Sequence, residues 1–308
     1  METISEFELL ATLAALHAGA AHPCVELAIG DDAAVLALEG RVVWTVDTQV
    51  DHVHFERGWL SAEDIGFRAH AAATSDVYAM GGRPTASLVG YILPPDSGGT
   101  AEGLARGARD SAGHHGAPTV GGNLSAGREL SITTTVLGTC DAPKRRSGAQ
   151  VGDGIYVAGK LGHAAVGLHA LANGLAAASA ERFVAAWRRP MLPVVEARAL
   201  GQACAAIDVS DGVCADLGHI LSASGVGARL EAKALVDDAL ARAARDLDLD
   251  ALALALRGGE DYAILATSSA ALPGFRRIGT IVDGALLELV DPRGRTSALD
   301  FSGHAHRF

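Results

Sequence analysis

The chain has 308 residues, with 25 Lys and Arg against 36 Asp and Glu, and a formal net charge of -11. That length predicts about two domains with cores large enough to fold without disulfides. The acidic balance argues against nucleic acid and anionic membranes as partners, because both require a basic surface. The 37 glycines make up a larger fraction of the chain than the usual value of about 7%. This excess indicates close backbone approach or positive φ at many positions.

The cysteines and the N-terminus predict a cytoplasmic protein. The four cysteines form no Cys-x-x-Cys pair, which argues against a disulfide framework or a structural zinc site; they are Cys24, Cys140, Cys204 and Cys214. The N-terminal segment is acidic where a signal peptide would be basic, and no apolar run approaches the roughly 20 residues of a membrane span.

Helices and short strands alternate along the N-terminal half. A capping box at Ser5 and Glu8 begins the first helix. The predicted elements, in chain order, are a helix to about Gly19, strands at 33–38 and 42–46, a helix at 61–80, a strand at 86–93, a helix at 101–115 and a strand at 130–137.

A polar, glycine-containing and locally basic stretch at 141–154 is the predicted domain boundary. The elements predicted after it are a strand at 155–158, a helix at 161–172, an Ala-rich helical region to about 204, a strand at 205–209, a helix at 212–222, a strand at 227–231, helical sequence at 233–256 and strands at 263–266 and 277–282. The mixture favours α/β or α+β layers over a barrel of regular βαβ units.

Several aspartates lie at or near the ends of apolar runs that are far apart in sequence. They are Asp31 and Asp32, Asp47, Asp76, Asp208 and Asp211. Asp76 falls on the apolar face of the 61–80 helix, where an ionised carboxylate is costly unless a cation or several donors meet it. Each aspartate alone is more simply a helix cap or an ion-pair partner. As a group they favour Mg²⁺, which prefers oxygen ligands, and a phosphate substrate.

Glycine pairs near strand and helix ends could bring backbone N–H groups to phosphate oxygens. They are Gly121-Gly122, Gly159-x-x-Gly162 and Gly258-Gly259, and each alone is more often a plain turn. The segment 154–161 nearly matches a P-loop, but Leu161 replaces the Ser/Thr that holds magnesium, and 155–158 is predicted to be a strand.

Two His-x-His pairs have the spacing of neighbours on one strand face. His52 and His54 form one pair, and His304 and His306 form the other. A zinc site at either pair is less favoured than a structural or substrate-contacting role, since no further zinc-ligand motif accompanies them.

Seven short segments resemble, in order, motifs of the thiamine-monophosphate kinases, a family of the aminoimidazole ribonucleotide synthetase superfamily. The segments are Gly30–Val35, Thr45–Phe55, Ser75–Pro84, Gly121–Asn123, Arg146–Asp153, Asp208–Gly212 and Gly258–Tyr262. The resemblance implies a two-domain α/β fold. Residues 1–143 would form a dimerisation and metal- and ATP-binding domain whose pairing builds a barrel-like core, and residues 144–308 would form a second α/β domain.

The same resemblance implies that ATP binds between the domains with several Mg²⁺ ions and transfers its γ-phosphate directly to thiamine phosphate in a homodimer. The implied metal ligands are Asp31, Thr45, Asp47, Asp76, Asp208 and Asp211, of which Asp47 and Asp211 are the implied catalytic pair. The implied ATP contacts are Gly121, Gly122, Asn123, Arg146 and Ser210. The implied contacts of the thiamine moiety are His54, Glu260 and Phe308.

The chain departs from the family pattern at Gly121-Gly-Asn-Leu-Ser125, where the family has Gly-Gly-Asp-Thr-Thr. Asn123 offers a metal one carbonyl oxygen without charge. The departure leaves two alternatives open: an ATP-dependent paralogue acting on another small metabolite, and a nucleotide-binding protein without catalysis.

Overall fold

The computed structural model describes residues 6–17, 22–29, 33–95, 97–175 and 180–303. The chain folds into two compact units. One unit comprises Met1–Val77 and Gly82–Asp141, and the other comprises Tyr78–Gly81 and Ala142–Phe308.

The described residues of the N-terminal part of the chain form one four-stranded sheet, one two-stranded sheet and three helices. The helices are α1 (Glu6–His17), α2 (Ala62–Ala79) and α3 (Gly98–His115); the strands are β1 (Val25–Leu27), β2 (Val35–Leu36), β3 (Val42–Val50), β4 (Arg83–Leu93), β5 (Thr119–Ala126) and β6 (Ser131–Thr139). The larger sheet has the order β3-β6-β4-β5. Only its β4–β5 pair is parallel.

Glycine brings α2 and α3 into backbone contact. A Cβ added at Gly66 of α2 would lie 2.0 Å from the carbonyl oxygen of Leu104, and one added at Gly107 of α3 would lie 1.9 Å from that of Glu63. Neither position tolerates a side chain at this separation. Close backbone approach therefore accounts for part of the glycine excess, as the composition predicts.

The two faces of β3 differ in character. The side chains on one face of β3 are partly or fully buried, and they include Thr45, Asp47 and Gln49. Val42, Trp44 and Val46 alternate with them and are exposed, Trp44 by 71%. One nine-residue strand thus presents a polar face and an apolar face.

The second unit is built on a seven-stranded sheet. Its strands are β7 (Gly154–Ala158), β8 (Ala205–Val209), β9 (Gly227–Glu231), β10 (Ala263–Ser268), β11 (Arg276–Val282), β12 (Leu287–Val290) and β13 (Thr296–Leu299), in the order β13-β12-β9-β11-β7-β10-β8. Its helices are α4 (His163–Ala172), α5 (Glu181–Arg188), α6 (Val194–Ala197), a 3₁₀ helix (Arg198–Gln202), α7 (Val213–Ser224), α8 (Ala232–Leu235), α9 (Asp238–Asp246) and α10 (Ala251–Arg257). The core includes Ile155, Phe183, Ile207, Leu217 and Leu265, each no more than 5% exposed.

The mixed α/β class is confirmed, and most predicted elements occur within a few residues of their expected bounds. The sequence missed β1, β5, β12 and β13, and it ended β3 too early. Asp47 therefore lies inside a strand and not at its end. His52 and His54 lie in a turn after β3, so the prediction that they share a strand face is wrong. His304 and His306 lie outside the described residues.

None of the described helices combines the length and the apolarity needed to cross a bilayer. All four cysteines are free thiols.

Three buried histidines make the first unit sensitive to acid. His70 donates from Nε2 to the carbonyl of Ala117 at 2.9 Å, and its Nδ1 lies 3.0 Å from the Ser111 hydroxyl. That hydroxyl also lies 3.1 Å from Nδ1 of His115. Burial lowers the pKa of His17 and of His70 to about 4 and that of His115 to about 3, so the fold holds all three rings neutral.

We expect the free energy of unfolding to fall as the pH drops from about 6.5 toward 4. The unfolded chain takes up protons there while the buried rings do not, which costs about 2 kcal/mol for His70 at pH 5. Urea unfolding at pH 7 and pH 5 measures the loss. The loss of unfolding free energy should be smaller in His115→Gln and unchanged in His219→Gln, which alters an exposed position. An equal loss in His115→Gln and wild type would contradict this account.

Candidate functional site

Thr45 and Asp76, far apart in sequence, meet in the structure. The Thr45 hydroxyl on β3 donates to Oδ2 of Asp76 on α2 at 2.6 Å. Helix α2 carries Asp76 there because it begins at a capping box in which the amide of Asp64 donates to the Ser61 hydroxyl at 3.1 Å. Asp76 is only partly buried, so its carboxylate is both held and accessible.

Asp47 lies two residues from Thr45 on the same face of β3. Its Oδ1 accepts a hydrogen bond from Nε2 of Gln49 at 3.2 Å. Thr134 of β6 is its partner in the antiparallel register, so the two side chains stand side by side. Thr134 and Gln49 are 1% and 3% exposed.

The donor set on this face fits an oxygen-liganded divalent cation. Two carboxylates, two hydroxyls and one amide carbonyl lie along it, with no thiol and no imidazole among these five side chains. Two of the buried oxygens beside Asp47, Gln49 Oε1 and Thr134 Oγ1, have no hydrogen-bond partner among the described residues. Mg²⁺ prefers such ligands, whereas Zn²⁺ in proteins is mostly held by sulfur and nitrogen.

In the second unit, the loop after β8 holds Ser210 and Asp211 against the loop after α10. The amide of Glu260 donates to the Ser210 carbonyl at 2.8 Å, and that of Tyr262 donates to the Val209 carbonyl at 2.9 Å. A Cβ at Gly259 would lie 2.4 Å from the Ser210 carbonyl oxygen, so only glycine allows this approach. The predicted residues Asp208, Ser210, Asp211 and Glu260 are therefore brought onto neighbouring segments.

Asp216, which sequence analysis missed, supports this loop from the other side. Its Oδ2 accepts hydrogen bonds from the amides of Asp211 and Gly212, both at 3.1 Å. Burial raises the pKa of the Asp216 carboxyl to about 7. A carboxylate one helical turn after an Asp-Gly pair was the available signal, since such a spacing is typical of a side chain that binds amides at a helix N-terminus.

Asp261 plays the same part at the start of α4. Its two carboxylate oxygens accept from the amides of Gly162 at 2.5 Å and Ala164 at 2.8 Å, and burial raises the pKa of this carboxyl to about 7. The Gly162 amide is therefore already bonded, and the Gly258 amide donates to the Leu254 carbonyl at 2.8 Å. The prediction that these two glycines offer bare amides to phosphate is wrong.

Glu260 is oriented by an indole that sequence analysis also missed. Nε1 of Trp187, a side chain of α5 that is 1% exposed, donates to Oε2 of Glu260 at 2.6 Å. Glu260 itself adopts a φ of 68°. The sequence offered no signal for this pair, because 73 residues separate its members.

The remaining predicted residues are spread over the two units. His54 accepts at Nδ1 from the amide of Val50 at 3.1 Å. Gly121, Gly122 and Asn123 lie within β5, where Asn123 pairs with Gly90 and Gly122 with Val89. Strand alternation places Asn123 on the face opposite to Asp47. Arg146 is exposed. Asp31 and Phe308 lie outside the described residues.

Comparison with known proteins identifies the family. Residues 30–140 match the family described as AIR synthase related protein, N-terminal domain. A thiamine-monophosphate kinase from Mycobacterium tuberculosis is 40% identical over 280 residues, which are 87% of this chain and 82% of that protein. The chain belongs to the thiamine-monophosphate kinase family.

Solved structures of the thiamine-monophosphate kinase family share the fold. The enzyme from Stenotrophomonas maltophilia matches with a TM-score of 0.82 and 34% identity over 93% of this chain and 96% of that one. The structure of AaThiL complexed with AMPPCP and TMP matches with a TM-score of 0.80 and 26% identity over 99% of both chains. The likeness therefore extends through both units of the chain.

Proposed function

We propose that this protein transfers the γ-phosphoryl group of ATP to the phosphate of thiamine phosphate, which yields ADP and thiamine diphosphate. Membership of the thiamine-monophosphate kinase family, with 40% identity over 280 residues, is the observation that carries the proposal. The AaThiL complex holds AMPPCP and TMP on the same fold, which supports both substrates.

Divalent cations would be held by oxygen ligands. The ligands we propose are Asp31, Thr45, Asp47, Asp76, Asp208 and Asp211. A bound Mg²⁺ neutralises phosphate charge and so lets two anionic substrates approach. Thr45 and Gln49 hold Asp76 and Asp47 by hydrogen bonds from neutral donors, so neither carboxylate loses its charge to a protein cation in these contacts.

The substrates would be bound by the predicted contact residues. For ATP we propose Gly121, Gly122, Asn123, Arg146 and Ser210, and for the thiamine moiety His54, Glu260 and Phe308. His54 accepts at Nδ1 from the Val50 amide, so in its neutral form the ring carries its proton on Nε2 and donates there. Trp187 donates to one carboxylate oxygen of Glu260 and so fixes the orientation of that carboxylate.

Transfer between two phosphates requires position and charge more than a covalent nucleophile. The residues proposed to be catalytic, Asp47 and Asp211, lie on segments that are fixed by hydrogen bonds. Asp47 is in the middle of a paired strand, and the loop of Asp211 is bonded on both sides by Asp216 and by the Glu260 segment. Each is thus presented with little freedom to rearrange.

We expect purified protein with ATP, Mg²⁺ and thiamine phosphate to form ADP and thiamine diphosphate, measured by chromatography. Asp47→Asn and Asp211→Asn should each lower turnover by at least a hundredfold and leave the melting temperature equal or higher, because a cluster of like charges loses repulsion. Asp283→Asn, at an exposed position, is the control. Absence of product in the wild type would overturn the proposed function, and wild-type rates in both variants would overturn the assignment of Asp47 and Asp211.

A second candidate, an ATP-dependent enzyme for another small metabolite, is favoured only by Asn123, where the family has a carboxylate. If thiamine phosphate is the acceptor, Asn123→Asp places a charged oxygen on the face of the sheet opposite to Asp47, and a cation bound there should raise turnover several-fold or lower the Mg²⁺ concentration at half-maximal rate. A panel of phosphorylated and carboxylated acceptors that stimulates ADP release more than thiamine phosphate does would favour the second candidate. Tight ATP binding without turnover on any acceptor would indicate a nucleotide-binding protein.

The exposed apolar face of the four-stranded sheet supports a homodimer, in which residues 1–143 form the dimerisation domain. Trp44 and Val46 of β3 and Leu88 and Ile92 of β4 are between 42% and 71% exposed. In register, Val46 and Leu88 flank Thr135 of β6, so the patch is continuous across three strands. A second copy of the sheet would cover it and extend the pair toward a barrel.

Trp44→Asp should convert a dimer to a folded monomer, because the charge would be buried without a partner. Light scattering after size exclusion measures the mass, and circular dichroism checks the fold. Leu286→Asp, at a site in the second unit that is 64% exposed, should leave the mass unchanged. A monomeric wild type would exclude the dimer.

A further inference from the structure

Two buried oxygen atoms beside Asp47 form no hydrogen bond that would explain their role in the fold. Gln49 Oε1 and Thr134 Oγ1 belong to side chains that are 3% and 1% exposed. Neither atom has a hydrogen-bond partner among the described residues. Burying such atoms is costly, and native proteins leave few of them unsatisfied, so each requires an explanation.

Both side chains that carry these atoms lie next to Asp47. Thr134 is the cross-strand partner of Asp47 on the same face of the sheet. Gln49 lies two residues along β3 on that face, and its amide donates to Asp47 Oδ1. A carboxylate can only accept, so this contact fixes the amide with Nε2 toward Asp47 and leaves Oε1 as an acceptor.

Acceptor oxygens around a carboxylate suit one kind of ligand. Mg²⁺ dehydrates reluctantly and keeps several water molecules, and those water molecules can only donate because their lone pairs face the ion. A hydrated cation therefore needs both a charged ligand and neutral acceptors near it. Asp47 supplies the charge, while Gln49 and Thr134 supply acceptor atoms that nothing else in the described residues uses.

We propose that Gln49 and Thr134 are positioning residues of the cation site at Asp47, where their side-chain oxygens accept hydrogen bonds from the water molecules of a bound Mg²⁺. The inference rests on the proposed function for the presence of a cation at Asp47. It adds two residues to the set that the family resemblance implies, and it assigns them to the water molecules of the ion, not to the ion itself. Gln49 has a second role, because its amide also orients the Asp47 carboxylate.

A residue that binds the water molecules of the cation differs from a residue that stabilises the fold in how its removal changes the stability of the protein. A hydroxyl or an amide that supports the fold destabilises the protein when it is removed. A buried oxygen without a partner does the opposite, because its removal relieves a desolvation cost. Thr134→Val and Gln49→Met keep the side-chain size and remove these oxygens. In Thr134→Val, which breaks no hydrogen bond of the described residues, cation affinity should fall while stability stays equal or rises.

The experiment titrates Mn²⁺ into the full-length protein and follows free Mn²⁺ by electron paramagnetic resonance, with and without AMPPCP. Asp47→Asn defines the part of the binding that depends on this site. For Thr134→Val and for Gln49→Met we expect that part to weaken roughly tenfold or more, as is typical when outer partners of a metal site are removed. The melting temperature of Thr134→Val should equal or exceed that of the wild type, whereas Gln49→Met also loses the hydrogen bond to Asp47 and is judged by its Mn²⁺ affinity alone.

Thr133→Val is the matched control. It is the same substitution one residue away, but Thr133 lies on the opposite face of β6, where its hydroxyl pairs with that of Thr48 at 3.0 Å. Mn²⁺ affinity in this variant should equal that of the wild type. An equal loss in Thr133→Val and Thr134→Val would overturn the proposal, as would a marked fall in melting temperature in Thr134→Val.

The inference and the proposed function fail in different ways. Unchanged Mn²⁺ affinity in both test variants, with kinase activity in the wild type, would overturn the inference alone. Weakened Mn²⁺ binding in the variants of a wild type that lacks kinase activity would overturn the proposed function alone. A wild type that binds no Mn²⁺ at Asp47 under either condition would overturn the cation site and with it the inference.

Discussion

Neighbouring carboxylates repel one another, so a fold that presents several of them must hold each one in place. Neutral donors do so at three positions. The Thr45 hydroxyl holds Asp76, the Gln49 amide holds Asp47, and the Trp187 indole holds Glu260. An arginine or lysine would hold a carboxylate more strongly, but it would compete with a cation for the same charge. A neutral hydrogen bond fixes the orientation of a carboxylate without itself placing a positive charge beside it.

The chain uses other carboxylates for a different purpose. The carboxylate oxygens of Asp216 and Asp261 accept hydrogen bonds from backbone amides at the starts of α7 and α4. Burial raises the pKa of both groups to about 7, and the amide bonds oppose that rise. These two aspartates fix the loops on which the candidate site residues lie. The acidic residues of the candidate site and its supporting loops therefore fall into two classes, which the local hydrogen bonds distinguish.

Much of the site could be predicted because its residues lie in short, distinctive segments. Asp76 on an apolar helix face and Asp47 in an apolar strand break the local pattern, and such breaks point to function. Gln49 and Trp187 could not be predicted, because their importance lies in partners that only the fold brings near, whereas Asp216 could have been found from its position one helical turn after Asp211-Gly212. Strand β5 was missed for a related reason. Its Gly121-Gly122 pair weakens the strand pattern, yet Gly122 is required there because a Cβ would lie 2.0 Å from the Val89 carbonyl oxygen.

One ladder of hydrogen bonds fixes both faces of β3. The strand pairs with β6 from Val42 to Val50 without a break in register, and its side chains alternate between the polar row of Thr45, Asp47 and Gln49 and the exposed row of Trp44 and Val46. A slip of one residue would exchange the two rows. The apolar face that a second copy would cover and the polar face that a cation would occupy therefore depend on the same pairing. Association through one face would stabilise the register on which the other depends, so dimer formation and the geometry of the candidate site are physically linked.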